Sequence, residues 1–187
     1  NEGIVLSSDG NSDTNTHGSA DITGNTLVNN TKVGIQSSLS GNDLNITNAK
    51  LTNIGSATSD EAIDIADNGD SETVANIRID SVNVTNAAGP AIGTTDVAQD
   101  GTNDISLLRV TGSTIESTDV GVDLVGAFGG AASLEVNGTS INGTSTAIAF
   151  NDGNAKYLNV TDNSITNAST AGLFLNGNGG NDLAVRT

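Results

Sequence analysis

The stretches Leu108-Arg109-Val110-Thr111-Gly112-Ser113-Thr114-Ile115 and Leu134-Glu135-Val136-Asn137-Gly138-Thr139-Ser140-Ile141 carry one pattern twice, 26 residues apart. Each begins apolar-x-apolar-polar, continues through a glycine, and reaches another apolar residue five positions after the second. Alternation over three residues sends both apolar side chains to one side of a strand. The glycine permits the left-handed backbone that a sharp bend needs. The pattern reads as strand, bend, strand, and its recurrence decides the fold.

It recurs along the whole chain. Leu44-Asn45-Ile46-Thr47, Ile77-Arg78-Ile79-Asp80, Leu158-Asn159-Val160-Thr161 and Leu183-Ala184-Val185-Arg186 repeat the first half, and Ala20-Asp21-Ile22-Thr23 is a weaker copy. The second apolar positions are 22, 46, 79, 110, 136, 160 and 185, at spacings of 24, 33, 31, 26, 24 and 25. Five residues after each complete copy stand Leu27, Leu51, Val84, Ile115, Ile141 and Ile165. Bend formers follow the first strand at Gly24, Asn48, Gly112, Gly138 and Asp162. A third pattern, a small residue and then apolar-x-apolar, reads Gly3-Ile4-Val5-Leu6, Ala62-Ile63-Asp64-Ile65, Gly121-Val122-Asp123-Leu124, Ala147-Ile148-Ala149-Phe150 and Gly172-Leu173-Phe174-Leu175. Gly34-Ile35 and Ala91-Ile92 are degenerate versions.

Helices are excluded because the runs are short, β-branched residues dominate, and Gly or Asn interrupts every few positions. A sandwich of antiparallel hairpins would not need identity from one repeat to the next. Stacking like on like at about 4.8 Å does need it. Parallel crossovers are right-handed in nearly all cases. The expected fold is therefore all-β: a right-handed parallel β-helix, a solenoid of about seven coils with three short strands per coil. Residues 1–187 read as one such segment, expected to belong to a longer polypeptide. Asn29, Asn53, Asn86 and Asn167 share one register, with Ser117 and Gly143 in the gaps, and are expected to form a side-chain ladder.

Net charge is −16, from 22 acidic and 6 basic residues. Such a surface repels phosphate backbones and anionic lipid, so neither nucleic acid nor membrane insertion is expected. There is no cysteine, so no disulfide supports the fold. No apolar run approaches membrane-spanning length.

The coils Val110-Thr-Gly-Ser-Thr-Ile115 and Val136-Asn-Gly-Thr-Ser-Ile141 resemble those of right-handed parallel β-helix repeat proteins. Within that group, the Thr/Asn/Gly-rich, acidic, cysteine-free coils are most similar to bacterial surface adhesins and autotransporter passenger domains. The resemblance covers essentially the whole chain and implies export, with a role as a stalk or adhesive surface. It has no catalytic motif to carry over, and the membrane-inserting barrel of autotransporters has no counterpart here.

Other β-helix proteins are polysaccharide lyases or hydrolases, so catalytic constellations were sought. Arg78 and Arg109 should be neighbours on the outward face of the first strand, with Glu135 beside Arg109. An exposed ion pair of modest energy is the commoner meaning of such a set. Two insertions carry more acid: Ala66-Asp67-Asn68-Gly69-Asp70-Ser71-Glu72 and Thr94-Thr95-Asp96-Val97-Ala98-Gln99-Asp100-Gly101. Asp67, Asp70, Glu72, Asp96 and Asp100 offer hard oxygen ligands for Ca²⁺, the one cofactor the sequence suggests, although solvated acidic loops are the commoner explanation. Phe150 falls on the inward register and Phe174 on the outward one. Asn-x-Ser/Thr sequons occur at Asn29, Asn45, Asn83, Asn137, Asn142, Asn159 and Asn167.

The expectation is thus a non-enzymatic structural or adhesive module, extracellular or on a cell surface. Its partner would be a cell-surface or carbohydrate ligand, or further copies of itself joined through open coil ends as a filament subunit. The alternative is a polysaccharide-active lyase or hydrolase, or a carbohydrate-binding tailspike-like domain.

Overall fold

The computed structural model describes residues 2–7, 19–24, 27–29, 31–38, 43–65, 76–94, 107–125, 133–151, 157–176 and 184–186. They contain twenty strands, numbered in chain order, and no helix. The first repeated pattern builds one seven-stranded sheet: β2 (Ala20–Ile22), β5 (Leu44–Thr47), β8 (Asn76–Asp80), β11 (Leu107–Thr111), β14 (Ser133–Asn137), β17 (Tyr157–Thr161) and β20 (Ala184–Arg186). The second builds a six-stranded sheet: β3 (Leu27–Asn29), β6 (Lys50–Ile54), β9 (Asn83–Ala87), β12 (Thr114–Glu116), β15 (Ser140–Asn142) and β18 (Ser164–Thr166). The third builds another of seven: β1 (Glu2–Ser7), β4 (Val33–Ser38), β7 (Ile63–Ile65), β10 (Ile92–Gly93), β13 (Val120–Val125), β16 (Thr146–Asn151) and β19 (Ala171–Leu175). Each strand pairs in parallel with its equivalents in the coils above and below. The chain is a right-handed parallel β-helix of about seven coils.

The repeat places identical positions on one another. Ile46, Ile79, Val110, Val136 and Val160 form one inward column, and Leu51, Val84, Ile115, Ile141 and Ile165 another. In the middle coils these side chains are removed from solvent altogether. Each contributes roughly 1.5–3 kcal/mol by burial, which one isolated coil could not convert into stability against the ordering of its chain. Among the described residues Phe150 is the one aromatic in this core, inward as its register predicts, while Phe174 points outward.

Both bends of the coil repeat one device, a left-handed residue that in the middle coils is followed by a buried one. At the first bend Gly24, Asn48, Ser81, Gly112, Gly138 and Asp162 have φ between 54° and 88°. At the second, Asn53, Asn86, Ser117, Gly143 and Asn167 have φ between 53° and 69°. Ser81 completes the first column although serine does not announce this conformation; its hydroxyl donates to Asp80 Oδ2 at 3.2 Å. The small residue opening the third strand has its own reason. At Gly121 a side chain would run into the carbonyl of Ala147 in the next coil.

Two registers differ from the expectation. Val28, not Leu27, stands level with Leu51 and is buried, while Leu27 is level with the exposed Lys50. The connection between β2 and β3 holds one residue more than its equivalents, and a one-residue shift exchanges the faces of a strand. Leu27 and Val28 are both apolar, so the hydrophobic pattern cannot choose between them. At the other end Val185 pairs with Leu158 and Ala184 with Tyr157, a slip of two from the expected alignment of Val185 with Val160. Two residues is one full strand period, so the slip leaves the inward and outward positions exchanged with none of their neighbours.

The asparagine ladder forms in its first half. Asn53 Nδ2 donates to Asn29 Oδ1 at 3.2 Å, and Asn86 Nδ2 to Asn53 Oδ1 at 3.3 Å. Ser117 and Gly143 interrupt it, and Asn167 Nδ2 instead reaches Asn142 Oδ1 at 2.8 Å.

Candidate functional site

The five acids expected to hold calcium, Asp67, Asp70, Glu72, Asp96 and Asp100, lie outside the described residues. The strands that lead into and out of the two acidic insertions are described. β7 pairs with β10, and β8 with β11, so both insertions leave and rejoin the solenoid one coil apart at the same corner. Among the described residues no group of three or more His, Cys, Asp or Glu is arranged to hold a metal ion.

Acidic side chains that the sequence did not single out are gathered beside that corner. On the outer face of the third sheet, Val5, Gln36, Asp64, Gly93, Asp123, Ala149 and Phe174 form one column. Asp64 is buried, and Gln36 Nε2 donates to its Oδ2 at 2.8 Å. Glu61, also buried, lays its side chain over Gly93, where a side chain at position 93 would collide with it. Asp123 is two coils from Asp64, about 10 Å by strand spacing. Burial pushes the Asp123 carboxyl up from its ordinary value, and the negative charge of Asp119 adds to the shift. Asp119 itself accepts from Ser145 Oγ at 2.7 Å. A raised carboxyl near other acids can serve as a proton donor or hold polyhydroxylated ligands. The sequence signal was present in the x of Ile63-Asp64-Ile65 and Val122-Asp123-Leu124, but that position ordinarily faces solvent.

Asp60 is a structural acid. It ends the long second bend between β6 and β7, is 2% exposed, and accepts from the backbone N–H of Ser56 at 2.8 Å and of Ala57 at 3.0 Å. The Ser56 N–H bond is the main reason its carboxyl sits below the ordinary range; burial opposes this, and the Ala57 N–H and the Lys32 ammonium, 3.7 Å away, reinforce it. Such a group closes a turn and has no free oxygen face to offer chemistry.

The arginine face of the first sheet forms as expected, with one addition. Arg109 and Arg78 are paired neighbours, and Glu135 follows Arg109. Arg109 Nε donates to Glu135 Oε2 at 2.6 Å, which raises the guanidinium's pKa further. Arg78 turns the other way, its guanidinium 3.5 Å from Asp43. Each arginine thus has its own acid, and the guanidiniums are about two-fifths exposed. The pairs are of the modest, solvent-screened kind.

Three further acids on the outer surface each accept from a donor in the next coil. Asn45 Nδ2 donates to Asp21, Asn76 Nδ2 to Asp43, and Thr111 Oγ1 to Asp80, at 2.6–2.7 Å. A solenoid that stacked carboxylate on carboxylate would repel itself at this spacing.

Comparison with known proteins found no family model, no curated protein and no solved structure that matches this chain.

Proposed function

We propose that the chain is a non-catalytic structural or adhesive module of a secreted or cell-surface protein, similar in role to the bacterial adhesins and autotransporter passenger domains that its coils resemble. The observation that supports this is where the coils differ. Between the first and second sheets the connections are the residue pairs 48–49, 81–82, 112–113, 138–139 and 162–163. Between the third sheet and the first sheet of the next coil they span 39–43, 66–75, 94–106, 126–132 and 152–156. The repeated positions are occupied by stacking, and the longest connections gather at one corner, as suits a rod that presents segments to a cell-surface or carbohydrate partner. Calcium held by Asp67, Asp70, Glu72, Asp96 and Asp100 belongs to this reading, since the insertions that carry them leave adjacent coils.

Asp123 favours a second reading, a polysaccharide-active enzyme, because its carboxyl is raised and lies in a column with Asp64. One assay separates the two. Incubation with acidic and neutral polysaccharides is expected to release neither reducing ends nor unsaturated products, while glycan-array or cell-surface binding is retained. Turnover that Asp123→Asn abolishes would overturn the structural reading. For calcium, the melting temperature is expected to rise with millimolar Ca²⁺ and return with chelator; an unchanged melt removes the ion from the proposal.

A further inference from the structure

The coils sort the seven Asn-x-Ser/Thr sequons by geometry. The motif pairs an asparagine amide with the hydroxyl two residues on, so both must reach one enzyme site together. An extended strand sets residues two apart on one face, whereas a bend separates them. At Asn137 and Asn142 the sequon crosses a bend, and Thr139 and Thr144, which supply the hydroxyls, are buried. The hydroxyl of Thr31, which completes the sequon of Asn29, is enclosed as well. Asn167 is itself the left-handed residue of its bend, and its Nδ2 donates to Asn142 Oδ1. Asn45 and Asn159 stand on strands but are half-buried. Asn45 Nδ2 is held by Asp21, and Asn159 Oδ1 is enclosed. Asn83 differs from all of these. It is exposed on β9, and Thr85, on the same face of the strand, donates from Oγ1 to Asn83 Oδ1 at 3.0 Å. Its Nδ2 has no acceptor among the described residues. Its neighbours across the sheet are the exposed Lys50 and the half-buried Thr114.

We propose that Asn83, read together with Thr85, is the site at which the folded chain accepts an N-linked sugar from a glycosyl diphosphate donor. Asn83 Nδ2 attacks the anomeric carbon of the sugar. The new C–N bond forms as the bond from that carbon to the phosphate oxygen breaks. The diphosphate leaves with the electron pair, and one amide proton passes to a base of the transferase. The hydrogen bond from Thr85 occupies the amide oxygen and leaves the nitrogen uncommitted, with amide and hydroxyl already side by side. The other six sequons would have to unbend, unbury a hydroxyl or break an amide contact first. A nucleotide or a polyprenyl lipid can carry the diphosphate, and the chemistry at Asn83 is the same for both.

The test incubates the folded chain in two arms, with the peptides released from it by proteolysis as a control. One arm supplies uridine diphosphate glucose and a soluble asparagine glycosyltransferase, the other a lipid-linked oligosaccharide and a membrane oligosaccharyltransferase. Intact mass followed by peptide mapping reads the sites. Several sequons should be modified in the peptides, where no fold selects among them. The folded chain is expected to gain a single glycan, on Asn83, in at least one arm, and the arm identifies the carrier of the donor. Thr85→Val should abolish the addition and Thr85→Ser should retain it. Circular-dichroism melts of both variants should match the parent, because position 85 lies on the outer face of the sheet. An Asn83 left unmodified in both arms would overturn the proposal, as would folded chain modified at another sequon in preference to Asn83. Retention of the glycan in Thr85→Val would do the same. The polysaccharide assay is unaffected by any of these outcomes, so the structural reading is judged separately.

Discussion

The amino-terminal and carboxy-terminal halves of the solenoid solve the same bend with different chemistry. After the left-handed residue of the first bend come the buried Ala49 and Val82 in the earlier coils, then the buried Ser113 and Thr139 and the half-buried Asn163 in the later ones. After that of the second bend it holds Ile54 and Ala87, then Thr118 and Thr144. The backbone path is shared. In the earlier coils the side chain of this residue contributes burial, while in the later ones the side chains of Ser113, Thr118, Thr139 and Asn163 also hydrogen-bond to backbone groups. Asn163 Oδ1 accepts the N–H of Thr139 at 2.9 Å, and its Nδ2 donates to the carbonyl of Val136 at 2.8 Å. Where the halves meet, Ser113 Oγ accepts the N–H of Val82 at 3.1 Å. A β-helix corner thus tolerates either solution.

The strand columns between the corners are alike in both halves, so charge there should be equally damaging in each. Ile46→Asp and Val136→Asp each bury an unpaired carboxylate at a fully enclosed position and should cost on the order of 4 kcal/mol or more. Loss of a cooperative melt in both is expected; an unchanged melt for either would break the register. At the corners the halves should part. Asn163→Ala leaves an N–H and a carbonyl unpaired, a loss of about 2–4 kcal/mol in chemical denaturation, whereas Val82→Ala removes only apolar volume and should cost about 2 kcal/mol. Equal losses would mean that the polar corner is held by packing after all.

Acids sharpen the contrast through pH. Asp60, in the earlier half, has a lowered carboxyl pKa, so its stabilising contribution is complete above the ordinary carboxylate value and is lost as pH falls through the folded value. Asp123, in the later half, is raised, so its contribution is complete below the ordinary value and is lost as pH rises through the folded one. Melting temperatures taken from acid to neutral pH should therefore show Asp60→Asn most destabilised at neutral pH and converging with the parent in acid. Asp123→Asn should match the parent in acid and exceed it at neutral pH.

A smaller effect concerns Thr144, whose buried hydroxyl has no hydrogen-bond partner among the described residues. Thr144→Val gives this corner the apolar character of Ile54 and should stabilise by about 1 kcal/mol. The smallest is Ser117→Asn, which fills a gap in the ladder above Asn86 with a residue suited to φ of 54° and should raise the melting temperature slightly. A fall in melting temperature would mean that the ladder is incidental to the bend.

The sequence by itself determined the solenoid, because stacking requires like residues at like positions and leaves a repeat that can be read without coordinates. Ile46, Ile79, Val110 and Val136 announce their column, and Phe150 and Phe174 their opposite faces, through strand parity alone. Parity also explains the two misread registers. Leu27-Val28 offers apolar residues to both faces, and a slip of two at Val185 changes no face, so neither leaves a mark in the pattern. Burial of Asp60, Glu61 and Asp64, and partial burial of Asp123, was decided only in the tertiary structure. An acid at an outward position is ordinarily solvated, and only the path of neighbouring coils can remove its water. At the ends of the stack the third pattern already aligned Val5 with Phe174, and the structure decided only how exposed each is.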